Sequence, residues 1–158
     1  KYYGTYPQLA DTIRRYSSAP LLDVQRFWEV VLFSWLTGNS DMHCKNFSLI
    51  DMGSREYALA PAYDLLSVLL ADPDDTEEMA MTLEVGGRKS GFSREDFLGA
   101  MTGSGISAAV AGKLMERLVS FLPEWEGIIE ISFLPDELKS RYKELLKERC
   151  RRLVLADM

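Results

Sequence analysis

The sequence predicts a mainly α-helical domain with one small β-hairpin set among the helices. Three observations lead there. Val24, Phe27, Trp28, Val31, Leu32 and Trp35 recur at steps of three and four residues, which is one face of a helix. Two short apolar-rich runs, "NFSLI" (46–50) and "EYALA" (56–60), flank "DMGSR" with Gly53 at the turn, the pattern of a hairpin. Most of the remaining chain carries helix start and stop signals at helical spacing.

Taken in order, "TYPQ" (5–8) marks the first helix start: Thr5 can cap, Pro7 suits a first turn, and Gln8 sits where a capping box needs it. This helix runs to about Tyr16 and breaks at "SSAP". In the second helix Leu21, Leu22, Val30, Phe33 and Leu36 extend the apolar stripe around much of the circumference, so it should be central and buried, and Gly38 is a natural stop. Pro61 ends the hairpin, and "YDLLSVLLAD" (63–72) reads as a short helix. "DPDDTEE" (72–78) carries five acids and reads as a solvated loop. "MAMTLEV" reads as a strand followed by the glycine-rich turn "GGRKSG". Ser93 with Asp96 opens a helix through "REDFLGAM" that stops near Gly103. From Ser107 the pattern is helical again through Val110, Leu114, Leu118 and Phe121, Pro123 breaks or restarts it, and Pro135 starts a last helix to about Leu155. That last stretch is basic, seven cations against two acids over 139–152, which fits cations near a helix end.

The 158 residues are expected to form a single domain, and the 47% apolar fraction is normal for a folded one. No apolar run approaches the roughly 18 residues of a membrane span; "VVLFSWL" is the longest candidate. The net charge of −6 argues against direct nucleic-acid binding. Cys44 and Cys150 stand far apart and make neither a metal spacing nor a disulfide framework, so a reducing cytoplasm fits best. The first residue is lysine, and the chain is expected to be a piece of a longer protein.

The stretch "TGNSDMHCKNF" (37–47) holds the only histidine and follows the end of the central helix. Asp41 and Asn46 lie five apart in it, and Asp64 follows the second hairpin strand. Phosphoryl transfer from ATP needs little covalent work from a protein; it needs a carboxylate to orient and deprotonate the attacking hydroxyl and oxygen ligands for magnesium. Asn46 and Asp64 supply an amide and a carboxylate oxygen, which leaves Asp41 for the base. Lys45 could neutralise phosphate charge or be simply solvated; His43 could brace the loop or touch a phosphate; Tyr63 could be a core aromatic, and Cys44 a small buried side chain. Asp41 and Asn46 taken alone also fit loop residues that bond their own backbone.

The same aspartate-to-asparagine spacing, with a metal-binding aspartate after a hairpin, occurs in the protein-kinase catalytic loop. The usual order, with histidine first, is missing; Asp41-x-His43-x-x-Asn46 resembles the variant of HipA-like and phosphoinositide kinases. The fuller string "GNSDMHCKNFSLI", then "LAPAYDLLS", strongly resembles the HipA family, serine/threonine protein kinases of bacterial toxin–antitoxin systems. "LEVGGRKSGFSREDF" is similar to the part of that family that follows, and the likeness is strongest from about residue 24 to 70.

This resemblance implies the helical C-terminal lobe of a protein-kinase-like fold, with the hairpin carrying the catalytic loop. It implies Asp41 as catalytic base, His43, Cys44, Lys45 and Asn46 against the nucleotide phosphates, and Tyr63 and Asp64 at the nucleotide. It implies Asn46 and Asp64 as magnesium ligands, with ATP and Mg2+ as cofactors, a protein hydroxyl as substrate and a HipB-type DNA-binding antitoxin as partner. The family's N-terminal lobe, with its phosphate-covering loop and strand lysine, has no counterpart here; "GG" (86–87) and "GSG" (103–105) read as turns. The chain's own N-terminal lobe is therefore an expected partner, and the fragment alone is expected to be inactive. The rivals are a lipid or small-molecule phosphotransferase with the same loop and a non-catalytic split-kinase module.

Overall fold

A computed structural model describes residues 4–72 and 74–154. Its helices are α1 (Tyr6–Tyr16), α2 (Pro20–Leu36), α3 (Val68–Ala71), α4 (Arg94–Gly103), α5 (Ala108–Ser120), α6 (Leu122–Ile131) and α7 (Asp136–Val154). The strands β1 (Leu49–Gly53) and β2 (Glu56–Leu59) form one antiparallel pair between α2 and α3. The molecule is mainly helical with a small hairpin, as the periodicity predicts.

Local chemistry sets the helix starts. Thr5 Oγ1 accepts from the Gln8 amide (3.2 Å) while Gln8 Oε1 accepts from the Thr5 amide (2.9 Å), the reciprocal pair that opens α1. Ser93 and Asp96 make the same box for α4, and Ser107 caps α5. Pro123 falls in the first turn of α6, where its missing N–H costs nothing.

α2 is the centre of the core. Phe27, Trp28, Val31, Leu32, Trp35 and Leu36 are fully buried. They pack with Tyr6 and Ile13 of α1, Phe97 and Met101 of α4, and Leu114 and Met115 of α5 in one cluster. The Trp35 and Phe97 rings lie 4.9 Å apart, within the range where tilted aromatic pairs gain beyond simple area burial. Leu21 and Leu22, in the first turn of α2, are exposed, and Val30 and Phe33 are half-buried, so the apolar face does not run around the whole helix. In α5 the apolar pattern is likewise only partly inward: Leu114 and Leu118 are buried, Val110 and the flanking Phe121 are not.

The hairpin pairs Leu49 with Leu59, Ile50 with Ala58 and Asp51 with Tyr57, and turns through Ser54 and Arg55, both at positive φ. It is fastened to the α1–α2 junction. Tyr57 N–H donates to Ser18 Oγ (3.0 Å), Ser18 N–H donates to the Tyr57 carbonyl (2.8 Å), and the buried Asp23 accepts from the Leu59 amide.

Five sequence expectations need correction. The first strand begins three residues later than expected, at Leu49, because Cys44–Asn46 form a 3-10 turn that uses the Asn46 side chain locally. Over 63–72 only Val68–Ala71 is helical; Asp64 adopts φ +58, which a right-handed helix cannot contain. "MAMTLEV" is not a strand. Met79, Ala80 and Met81 are buried, but among the described residues the β-bridge of this stretch is the isolated one between Thr5 and Thr82, and no strand extends it. The acidic run is not wholly solvated, since Asp75 and Glu78 are both tied into the fold. The basic stretch of α7 does more than balance a helix end: Arg149 is buried, and Arg149 and Arg152 lie over the Trp35 ring at 5.2 and 5.1 Å. The expected end of α7 near Leu155 lies outside the described residues. Among the described residues no helix is long and apolar enough to cross a membrane.

Candidate functional site

The site is built on the end of α2. Gly38 N–H donates to the Trp35 carbonyl (3.2 Å) and Asn39 N–H to the Ser34 carbonyl (2.8 Å), the two crossing bonds of a Schellman stop. Gly38 takes φ +79, and a Cβ there would stand 2.8 Å from Leu145 Cδ2 and 3.0 Å from Ser67 Oγ. Arg149 reaches from α7 to donate to the same Trp35 carbonyl. Burial pushes its guanidinium down to about 10, which still leaves it cationic at neutral pH. The chain thus leaves the buried end of α2 in a direction set by backbone hydrogen bonds.

Residues 39–46 then fold over α1. Tyr6, buried at the start of α1, donates its hydroxyl to the Met42 carbonyl at 2.6 Å. His43 is buried, and its Nε2 lies 3.9 Å from Asp41 Oδ2. The Asp41 side chain is 42% exposed, open enough to meet an incoming group. The Asn46 Oδ1 accepts from the His43 amide (3.0 Å), closing the 3-10 turn. Ser40 is buried and donates to Asp75 Oδ2 at 2.5 Å. Cys44 is half-buried and packs against the core, and Lys45 is exposed.

The other half of the site comes from the segment after β2. The ladder continues past the strands, with Ala60 N–H donating to the Ser48 carbonyl (2.8 Å), so 44–48 and 60–64 run together. Tyr63 is exposed rather than in the core, and its hydroxyl donates to the Lys45 carbonyl at 2.9 Å. Asn46 Nδ2 donates to Asp64 Oδ2 at 2.5 Å across 18 residues of sequence. Asn39 Nδ2 donates to the Asp64 carbonyl (3.1 Å), while Asn39 Oδ1 accepts from the Asp41 amide (3.3 Å). Asp41, Asn46 and Asp64 therefore belong to one hydrogen-bonded unit, with His43, Cys44 and Lys45 on the loop between the first two and Tyr63 beside the third. A cleft of about 390 Å³ opens next to it, lined by Ser40, Asp41, Asp75, Glu77 and Lys89 among others.

The donor set is hard oxygen: the two Asp64 carboxylate oxygens, the second lone pair of Asn46 Oδ1, and the Asp41 carboxylate. Among the described residues no cluster of three or more His, Cys, Asp or Glu could hold a metal ion. Such a sparse oxygen set suits magnesium, which keeps several waters and takes phosphate oxygens alongside one or two protein ligands.

Sequence reasoning gave no role to Asn39, Ser40, Asp75 or Asp23. Asn39 and Ser40 are conspicuous as polar residues directly after an apolar helix, and their burial is the signal that separates them from solvated loop residues.

The model of the HipA-like C-terminal domain family matches residues 1–125. The chain belongs to this family. Two Sinorhizobium fredii (strain NBRC 101917 / NGR234) proteins named "Putative kinase Y4mE" and "Putative kinase Y4dM" are 38% identical over 81 residues and 37% identical over 99. These matches cover 50% and 61% of the chain but only 18% and 22% of the two proteins, so this HipA-like domain spans about a fifth of such relatives. Among solved structures, Shewanella oneidensis MR-1 HipA, in complex with HipB and its operator DNA, superposes with a TM-score of 0.77 at 24% identity. That likeness covers 94% of this chain and 35% of that one, and it establishes the fold as that of a HipA C-terminal lobe.

Proposed function

We propose that this HipA-like domain is the C-terminal lobe of an ATP-dependent serine/threonine protein kinase. One observation carries the reading. The Asn46 carboxamide and the Asp64 carboxylate are in direct contact at 2.5 Å, on the same loop unit as Asp41. Asp41 would accept the proton of a substrate hydroxyl; its side chain is half-exposed beside a cleft. Asn46 and Asp64 would hold magnesium, which when bound supplies positive charge to the phosphate oxygens. His43, Cys44, Lys45 and Tyr63 would line the nucleotide side, with Tyr63 locking the Lys45 backbone through its hydroxyl. The exposed ammonium of Lys45 suits a phosphate contact, whereas buried His43 suits bracing of the loop as much as contact with the nucleotide.

The rest of the ATP clamp would come from an N-terminal lobe of the same protein. The HipA neighbour was solved with HipB and operator DNA, which supports a HipB-like antitoxin partner here. A toxin role in a cytoplasmic toxin–antitoxin pair follows from that reading.

The test is phosphorylation by the kinase that contains this lobe. General-base assistance is typically worth about 10²–10⁴ in rate, so Asp41→Ala should abolish detectable transfer from labelled ATP to protein while circular dichroism stays native. Normal phosphorylation by that variant would remove Asp41 from the role. Calorimetry of this chain alone with magnesium-ATP should show weak or absent binding, and addition of the upstream lobe should restore it. A panel of lipid and small-molecule acceptors that is phosphorylated in preference to protein would overturn the substrate class.

A further inference from the structure

We propose that Asn39 is a positioning residue that holds the Asp41 loop and the Asp64 backbone at a fixed separation through a single carboxamide. The consequence for catalysis rests on the kinase reading above; the geometry does not. Asn39 is 97% buried. Its Oδ1 accepts from the Asp41 amide (3.3 Å) and its Nδ2 donates to the Asp64 carbonyl (3.1 Å). Its own amide closes the Schellman stop on the Ser34 carbonyl, so the splint is rooted on the fully buried end of α2 rather than in a loop.

The residue type follows from the task. Two backbone groups of opposite polarity, an N–H and a C=O, must be satisfied at one-methylene reach, and a short carboxamide offers an acceptor and a donor there on two separate atoms. Asp keeps the acceptor and loses the donor; Ala loses both. The Asp64 end is the demanding one, because Asp64 sits at φ +58, a left-handed conformation that costs a non-glycine residue even where, as for Asp, it is more accessible than for most. Asn39 fixes its carbonyl and Asn46 fixes its carboxylate, so two carboxamides from one loop orient both ends of the same residue. Asn39 touches neither carboxylate. It would act on the reaction only through where those carboxylates stand.

The experiment compares Asn39→Ala and Asn39→Asp with the unaltered protein in two measurements. The first is phosphoryl transfer by the complete kinase as a function of magnesium. Small misplacements of reacting groups can cost up to about 100-fold, so Asn39→Ala should lower kcat by roughly 10- to 100-fold and also raise the magnesium concentration for half-maximal rate. Asn39→Asp, which keeps the Asp41 bond, should mainly raise the magnesium requirement. The second measurement is amide hydrogen exchange on this chain, which needs no activity. Asn39→Ala should speed exchange in both 41–46 and 69–72, where the Leu69 amide bonds the Gly38 carbonyl, Asn39→Asp in 69–72 only, with α5 as protected as before. Unchanged exchange in both segments, or a uniform loss of protection that includes α5, overturns the splint. A wild-type kinase that transfers no phosphate overturns the kinase reading instead, and the exchange pattern then decides the splint alone.

Discussion

Asp23 and Leu59 meet across 36 residues of sequence, the buried carboxylate Oδ2 of one accepting the backbone amide of the other at 2.8 Å. The same oxygen accepts from Ser17 Oγ at 2.7 Å, and Arg26 lies 3.6 Å from the other oxygen. One side chain on α2 thus binds the inner edge of the hairpin and the α1–α2 junction together. β2 leads directly to Asp64, so this contact helps set where the second half of the site begins. Asp23→Ala would remove the buried acceptor of the half-buried Leu59 amide and Ser17 hydroxyl and should cost about 2–4 kcal/mol in urea unfolding. Asp23→Asn keeps an acceptor of the same shape and should cost about half of that. An unchanged urea midpoint for the alanine variant would show that the hairpin is held by other contacts.

Gly38 is required twice over. Its φ of +79 is costly for any side chain, by about 1–2 kcal/mol in the left-handed region. A Cβ would also press on Leu145 of α7 and on Ser67. Overpacking of that kind adds roughly 1–3 kcal/mol. Gly38→Ala should therefore lower stability by about 2–4 kcal/mol, the sum of the two ranges discounted for the freedom of Leu145 to turn aside. Adding Leu145→Ala should recover less than a methyl group's worth of strain relief, because the backbone cost remains and a cavity opens. A Gly38→Ala melting temperature equal to that of the parent would contradict both arguments.

Much of this was legible along the chain, and what was not has a common cause. The start of α1 follows from Thr5, Pro7 and Gln8, and the end of α2 from Gly38, because capping is local chemistry. The hairpin was legible as two apolar runs about a turn, but its start was misplaced because Asn46 spends its side chain on the 3-10 turn and on Asp64 instead of entering the sheet. The loop carrying Asp41, His43 and Asn46 stood out by composition. The groups that orient it did not. Asn39 meets Asp64 at a separation of 25 residues, Ser40 meets Asp75 at 35, and Arg152 meets Glu78 at 74. No period or cap signals pairings of that range, and an acidic run looks the same whether its members are solvated or buried against arginine.

Glu78 should make the fold sensitive to acid. Burial alone would raise its carboxyl, but the hydrogen bonds from Arg152 and Trp35 and the charges of Arg149 and Arg152 outweigh it and hold the group below its usual 4.5. Glu78 Oε1 lies 2.7 Å from Arg152, and Trp35 Nε1 donates to Oε2 at 3.0 Å. A depressed folded-state value means that the charged form favours folding. The contribution is fully present above about pH 4.5, where the unfolded carboxyl is also ionised, and is lost as the pH falls through the folded value. Glu78→Gln should cost roughly 2–3 kcal/mol at pH 7, and the gap to the parent should narrow on acidification below pH 4.5. A gap that stays constant with pH would mean that the charge of Glu78 contributes nothing.

The acids of 72–78 should divide sharply. Asp75 accepts the Ser40 hydroxyl at 2.5 Å, a charge-assisted bond to a buried residue next to Asp41. Asp74 is exposed, and its backbone amide donates to Asp72 Oδ1. Asp75→Ala should cost about 1.5–3 kcal/mol, as expected when a hydrogen bond to a charged group is removed. Asp74→Ala should stay within about 0.5 kcal/mol. A double-mutant cycle isolates the bond itself: Ser40→Ala with Asp75→Ala should cost less than the two single variants added, by about 1 kcal/mol or more. Additive losses would mean that Ser40 and Asp75 stabilise the fold separately, and that the acidic loop does not hold the Asp41 loop of the site. Equal effects of Asp74→Ala and Asp75→Ala would point instead to the summed charge of the run, a term that falls with added salt, whereas a specific short bond to a buried hydroxyl is screened far less.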